Sequence, residues 1–236
     1  MGSAAVVNLG LWSLFKAIAS GDRARVLRTL DATPRFASEP MPTGAGRQTS
    51  LPYFLDSIEL QVYAGDTALH VAAAAYNADI AEVLVQRGAS VSACNRRGAQ
   101  ALHAAAVGNP ATARWNPDAQ VATIVFLIGA GADPNAADKN GATPLHRAAR
   151  TRCAAAIRAL LANGADHRRR NKNGSTSLDL AVVNSGRGGT GSVAALDQQF
   201  EIIHILTEAG ARLSDKGSDE PDPDAAGDED DTDGES

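Results

Sequence analysis

One phrase recurs four times along this chain, and its spacing constrains the fold more than any other feature. Residues 65–70 read Gly-Asp-Thr-Ala-Leu-His, and related phrases occupy residues 98–103, 141–146 and 174–179. The leading glycines are 33, 43 and 33 residues apart. Self-similarity at a period of about 20 to 50 residues indicates a stack of small repeated units rather than one large core.

Each unit predicts two helices joined by turns. A threonine such as Thr67, Thr143 or Thr176 precedes a short apolar run and suits a helix N-cap. A second run with helical spacing follows, as in residues 80–85. A Gly-Ala phrase then ends the unit, with its glycine just past the helix, where a left-handed conformation is needed. These glycines are Gly88, Gly131, Gly164 and Gly210.

The unit resembles the ankyrin repeat, a β-turn followed by two antiparallel helices with a Thr-Pro-Leu-His signature. Residues 143–149 and 131–135 match the pattern closely, and the other units are degenerate. The resemblance covers residues 9–213 and implies an all-α ankyrin-repeat solenoid of stacked helix-turn-helix units with β-turn fingers. It identifies residues 9–35 as a degenerate N-terminal capping repeat and residues 65–213 as four repeats.

Three segments depart from this pattern. Residues 36–64 form a long insertion where a short turn is expected, and Tyr53, Phe54, Ile58 and Leu60 predict that part of it packs. Further insertions are expected at about 109–117 and 185–196. Insertions at fixed points of a repeat form loops on one face of a solenoid, and that face often carries function.

The composition excludes several classes of protein. Two cysteines, Cys94 and Cys153, are too few for a disulfide framework or a cysteine-based zinc module, so both are predicted to be unpaired thiols. The longest apolar run, residues 121–132, is shorter than the roughly 20 residues that span a bilayer. No basic residue precedes the N-terminal apolar run, which disfavours a signal peptide. We therefore expect a cytoplasmic protein without membrane contact.

Two patterns imitate ligand sites. Residues 186–191 form a literal G-x-G-x-x-G, but the repeat phase assigns residues 178–183 before it to a helix, whereas a dinucleotide fingerprint needs a strand there. We interpret this stretch as a flexible insertion. His70, His103 and His146 lie on successive helices and so do not converge on a metal. The resemblance implies that these histidines form hydrogen bonds within and between repeats.

No arrangement of a nucleophile with a base, and no pair of carboxylates, stands out in the sequence. We therefore predict a non-catalytic chain with no catalytic residue, no cofactor and no metal. The resemblance implies instead a protein-interaction module that binds a partner protein on the concave surface of fingers and first helices.

Basic residues gather in or beside the predicted fingers, so the expected partner is a protein with an acidic segment. Aromatic residues for base stacking are absent among them, which disfavours nucleic acid, and a monomer is expected. The candidate partner-binding residues are Arg96, Arg97, Ala99, Lys139, Asn140, Arg150, Lys172, Asn173 and Asn184.

The C-terminal segment, residues 214–236, is predicted to be a disordered acidic tail. Residues 215–236 hold eleven acids and one lysine, a net charge of -10, and the rest of the chain carries +5. This segment has too few apolar residues for their burial to offset the conformational entropy lost on ordering. One hypothesis is that this tail screens the basic fingers.

Two other functions remain open from the sequence. One is a small-molecule or nucleotide binder that uses residues 186–192, and the other is an inhibitor that acts through the inserted loops. The Ala- and Arg-rich composition with few lysines further suggests a GC-rich, bacterial genome.

Overall fold

The computed structural model describes residues 2–45, 51–183 and 192–214, and these contain ten α-helices. Helices of seven to nine residues dominate the repeats because each unit is short. The helices are α1 (Gly2–Ala19), α2 (Arg23–Ala32), α3 (Ala68–Ala74), α4 (Ala78–Gln86), α5 (Ala101–Ala105), α6 (Pro117–Gly129), α7 (Pro144–Thr151), α8 (Ala154–Ala162), α9 (Ser177–Val182) and α10 (Val193–Glu208).

The helices stack in two layers. The first helices of the repeats, α3, α5, α7 and α9, pack one on the next, and the second helices, α4, α6, α8 and α10, do the same. The N-terminal pair α1 and α2 packs on α3. Buried alanines such as Ala72, Ala105 and Ala148 line the first layer and let the short helices approach closely. The all-α solenoid predicted from the repeats is confirmed.

The fingers form a ladder of backbone hydrogen bonds along one edge of the stack. The Lys139 N–H donates to the Arg97 carbonyl and the Lys172 N–H to the Asn140 carbonyl, each at 3.0 Å. Gly98 adopts φ +74°, and a Cβ atom there would lie 2.9 Å from the Lys139 nitrogen. A side chain at this position would therefore force neighbouring fingers apart.

The repeated histidines join each unit to the next. Backbone N–H groups of Thr67 and Thr143 donate to Nδ1 of His70 and His146, respectively, at 3.2 Å. The opposite nitrogen, Nε2, contacts a carbonyl oxygen of the following finger at 3.0 Å, which is Ala99 O for His70. Since a carbonyl only accepts, Nε2 carries the proton. The ring therefore caps its own helix and ties that helix to the next unit.

The last unit carries Asp179 where the others have histidine. Its carboxylate accepts hydrogen bonds from the Thr176 N–H (2.7 Å) and hydroxyl (2.8 Å), and from the Ser214 N–H (2.9 Å) and hydroxyl. Burial alone would raise the pKa of Asp179, but the bonds from Ser214 and Thr176 hold that pKa below its usual value. Ser214, the last described residue, thus replaces the carbonyl of a following finger.

The insertion at residues 36–64 packs into the core on both sides of residues 46–50, which lie outside the described residues. Phe36, Met41, Leu55 and Val62 are buried. The predicted residues Tyr53, Ile58 and Leu60 pack against the core, and Phe54 is half-buried. A hairpin that the all-α prediction did not include joins β1 (Phe54–Leu55) to β2 (Leu60–Gln61).

The other two insertions end earlier than the spacing predicted. Pro117 is the first residue of α6, where a missing N–H is tolerated, and Asn116 caps that helix. Ser192 caps α10, so residues 193–196 are helical; α10 has 16 residues against 9 in α8, so part of the inserted length lies in this helix. In both units a buried glutamine reaches back to the end of the first helix: Nε2 of Gln120 donates to Ala105 O, and Nε2 of Gln199 to Ala181 O.

Candidate interaction surface

The concave face of the stack is lined by the fingers and the first helices, and two of the insertions cross part of it. The hairpin at residues 54–61 and the loop at residues 107–116 meet there. Nη1 of Arg114 donates to the Asp56 carbonyl at 2.8 Å and lies 3.6 Å from the Glu59 carboxylate. We call these two segments, joined at Arg114, the bridge.

The loop half of the bridge is fastened by buried polar groups. The Trp115 indole N–H donates to Oε1 of Gln120 at 2.9 Å, and Nε2 of the same glutamine donates to Ala105 O at 2.9 Å. The Tyr76 hydroxyl donates to the Val107 carbonyl. Burial raises the pKa of Tyr76 well above its usual range, so this hydroxyl keeps its proton. The loop is therefore anchored to its own repeat through Gln120 and to the preceding repeat through Tyr76.

A cavity of about 600 Å³ lies beneath the bridge, in the N-terminal half of the concave face. Its floor includes Ala74 and Ala104, and the ring of His103 lies in its wall. Burial lowers the pKa of His103 to about 4, with a smaller effect from the Arg147 guanidinium. The bridge thus covers part of this half of the face.

A second cavity of about 340 Å³ lies in the C-terminal half of the face. Arg97 and Arg147 line both cavities, so the two adjoin. Nη2 of Arg147 lies 2.5 Å from Asp138. Burial alone would raise the pKa of Asp138, but Arg147 and backbone N–H groups keep that pKa below its usual value, so the carboxylate stays ionised.

Five of the predicted partner-binding residues line this second cavity together. The geometry therefore brings them to one surface, from three fingers and the first helix of one unit. Asp138 is the single carboxylate among its lining residues, within the part of the chain that is described. The five are Arg97, Asn140, Arg150, Lys172 and Asn173.

Four predicted residues stand apart from this cavity. Lys139 is exposed on the same finger as Asn140 but does not line the cavity. Ala99 is only 6% exposed, so its side chain offers little to a partner. Arg96 is engaged within the chain: its guanidinium donates to Ala45 O at 2.6 Å and lies over the Tyr63 ring. Asn184 lies outside the described residues.

Sequence reasoning missed the bridge and Arg147. The length of an insertion predicts a loop but does not predict which residues the loop contacts. Nothing in the sequence distinguishes Arg147 except that it follows the repeat signature. The bridge also disfavours the inhibitor alternative for one of the inserted loops. The loop at residues 107–116 is fastened across the concave face, whereas an inhibitor's loop would have to reach into a partner.

The remaining candidate groups have ordinary structural surroundings. Residues Ser177–Val182 form α9, so no strand precedes the glycine-rich stretch, of which residues 186–191 lie outside the described part. Burial raises the pKa of Cys153 to about 11, which disfavours a reactive thiolate, and Cys94 is an exposed free thiol. No three His, Cys, Asp or Glu side chains among the described residues could hold a metal ion together.

The described residues also include no helix long and apolar enough to cross a membrane.

No curated protein matches this chain. A family model described as "Ankyrin repeats (3 copies)" matches residues 46–115 and 116–217, which is more than half of the chain. Together with the stacked helix pairs and the finger ladder, this match shows that the chain belongs to the ankyrin repeat family.

Proposed function

We propose that this protein binds an acidic segment of a partner protein on the open, C-terminal half of its concave face. Ankyrin repeats generally mediate protein–protein interaction. The observation that carries the finer proposal is the second cavity, where basic side chains from separate repeats converge around one ion-paired carboxylate.

The charge around that cavity supports an acidic partner. Arg97 and Lys172 extend from two fingers of the ladder, and Lys139 lies on the finger between them. The single carboxylate, Asp138, is already paired with Arg147. Complementary charge of this kind raises the association rate and selects partners, and the effect weakens with salt.

The bridge supports the same choice of surface. It occupies the N-terminal half of the concave face, so an extended segment has access mainly to the C-terminal half. We accordingly propose a non-catalytic, monomeric, cytoplasmic interaction module. Its bacterial origin and the boundaries of its segments stay predictions.

A peptide-binding measurement tests this proposal. The probe is a fluorescent peptide of Asp and Glu, and the control is the same peptide with Asn and Gln. We expect binding of the acidic peptide alone, weakened about tenfold or more in the Arg97→Gln, Lys139→Gln, Lys172→Gln variant. Fluorescence anisotropy at low and physiological salt measures both affinities.

A matched variant removes the same charge elsewhere. Arg23, Arg28 and Arg212 are exposed and lie outside both cavities. Changing these three to Gln should leave the affinity within about twofold of the original. Equal losses in the two triple variants, or equal binding of the neutral peptide, would contradict the proposed surface.

A further inference from the structure

We propose that the cavity beneath the bridge is a binding site for a small organic anion, a carboxylate carried on an aromatic body. This inference goes beyond partner binding, because the site is a separate cavity beneath the bridge and lies in the other half of the concave face.

The size of the cavity suits a small molecule. About 600 Å³ falls within the range of roughly 300 to 1,000 Å³ that is typical of ligand pockets. Ala74 and Ala104 leave room at the floor, where larger side chains would fill the space. The Arg114 contacts to the hairpin hold the opposite side in place.

The walls of the cavity favour an aromatic body. Three large aromatic side chains line it: Tyr63, Tyr76 and Trp115. The Tyr76 hydroxyl and the Trp115 indole N–H are both taken by protein acceptors, Val107 O and Gln120 Oε1. Because these polar ends are satisfied internally, the rings offer mainly apolar surface to a ligand.

Three arginines line the cavity, and because Arg114 pairs with Glu59 and Arg147 with Asp138, Arg97 is the one left for an anion. The two carboxylates of the cavity already have partners: Glu59 pairs with Arg114, and Asp66 accepts hydrogen bonds from the Asn95 side chain (2.8 Å) and the Tyr63 N–H (2.6 Å). No carboxylate among the described residues pairs with Arg97.

The position of Arg97 also suits this role. Its guanidinium lies 5.1 Å from the centre of the Tyr63 ring, at the junction of the two cavities. Stacking on a ring restrains the planar guanidinium, and that plane presents two parallel N–H donors. A carboxylate accepts both at once, so the site offers one anion contact beside three rings.

Fluorine NMR of the full chain labelled with 5-fluorotryptophan tests the proposal. The chain has two tryptophans, Trp115 in the cavity wall and Trp12 in α1. The probes are indole-3-acetate and 4-hydroxyphenylacetate, with their neutral amides and phenyl phosphate as comparisons. We expect a saturable shift of the Trp115 signal, with an apparent Kd at or below about 1 mM, and an unchanged Trp12 signal.

Two variants separate the anion contact from general charge. Arg97→Gln should weaken binding of the acids about tenfold or more, whereas Lys139→Gln, on the adjacent finger and outside the cavity, should not. Thermal unfolding of both variants verifies that each still folds. Lys172→Gln should lower the affinity for the acidic peptide without changing that for the acids, so the two proposals can fail separately.

Several outcomes would overturn the inference. These are no saturable Trp115 shift with either acid, amides that bind as tightly as the acids, or equal effects of Arg97→Gln and Lys139→Gln. Tighter binding of phenyl phosphate than of the acids would also refute the proposal, because it would indicate that the site prefers a phosphate ester to a carboxylate.

Discussion

The histidines show how one side chain can serve both a helix and a stack. His103 receives the Gln100 N–H on Nδ1 at 3.2 Å and donates from Nε2 to Ala142 O at 3.0 Å. The contact at Nδ1 needs an uncharged ring, because a protonated Nδ1 could not accept. The sequence predicted this structural role through the family resemblance, and the contacts to the next finger confirm it.

The stability of the protein should therefore fall as the pH is lowered below about 6.5. His103 has a pKa of about 4 in the folded protein against 6.5 for an ordinary histidine, so the unfolded chain binds the proton first. Between these values the unfolded state gains up to about 3 kcal/mol from this one group. His146, whose pKa burial also lowers, acts in the same direction.

Urea unfolding at pH 7 and pH 4.5 measures this effect. In His103→Gln the difference in unfolding free energy between the two pH values should shrink by about 2 kcal/mol. His204 is exposed on α10 and provides the control, since His204→Gln should keep the full difference. Identical pH profiles for the two variants would rule out His103 as a cause.

Among the elements, the helix pairs and the turns could be predicted because their residues recur at a regular spacing in the sequence. The glycines at 88, 131, 164 and 210 have φ values between +89° and +97°, as their place after each second helix predicted. The bridge has no such signal. Its halves are joined between Arg114 and Asp56, 58 residues apart, and that pairing depends on where two insertions end in space.

We expect Gln120 to be the residue that contributes most to holding the bridge in place. It is fully buried and contacts four groups: the Trp115 indole, the Ala105 carbonyl, the Tyr76 hydroxyl and the Val107 carbonyl. Gln120→Leu leaves the first two buried without partners, which should lower the unfolding free energy by about 2 to 4 kcal/mol. The same experiment should show the Trp115 fluorescence shifting to longer wavelength as its loop loosens.

An exposed glutamine supplies the comparison. Gln86 on α4 bonds only to the Glu82 side chain at 3.1 Å, so Gln86→Leu should change the unfolding free energy by less than about 0.5 kcal/mol. A Gln120→Leu protein as stable as Gln86→Leu would show that the buried amide contributes nothing net.

Across the whole molecule, opposite charges are separated along the chain. The repeats are basic and residues 215–236, outside the described part, carry a net charge of -10. Ser214 is hydrogen-bonded to Asp179 of α9. The next residue of that helix, Leu180, lines the second cavity. The acidic segment therefore starts beside the surface that we propose for an acidic partner, within reach of its basic side chains.

Removing residues 215–236 should strengthen binding of the acidic peptide, because the segment competes for the same cations. We expect an increase of about threefold to tenfold at low salt that vanishes near 0.5 M salt. Peptide anisotropy with the full chain and a chain ending at Ser214 measures it, and retaining Ser214 preserves the cap on Asp179. Unchanged affinity at low salt would exclude competition by this segment.

The bridge also has a consequence for the order in which the chain folds. Most contacts in a repeat stack join neighbouring units and can form as each unit is added. The Arg114–Asp56 contact and the Arg96–Ala45 contact instead span 58 and 51 residues. Contacts across long stretches of sequence are slow to form. We therefore expect the stack to assemble first and the bridge to close last, so that the cavity beneath it is completed in the final step of folding.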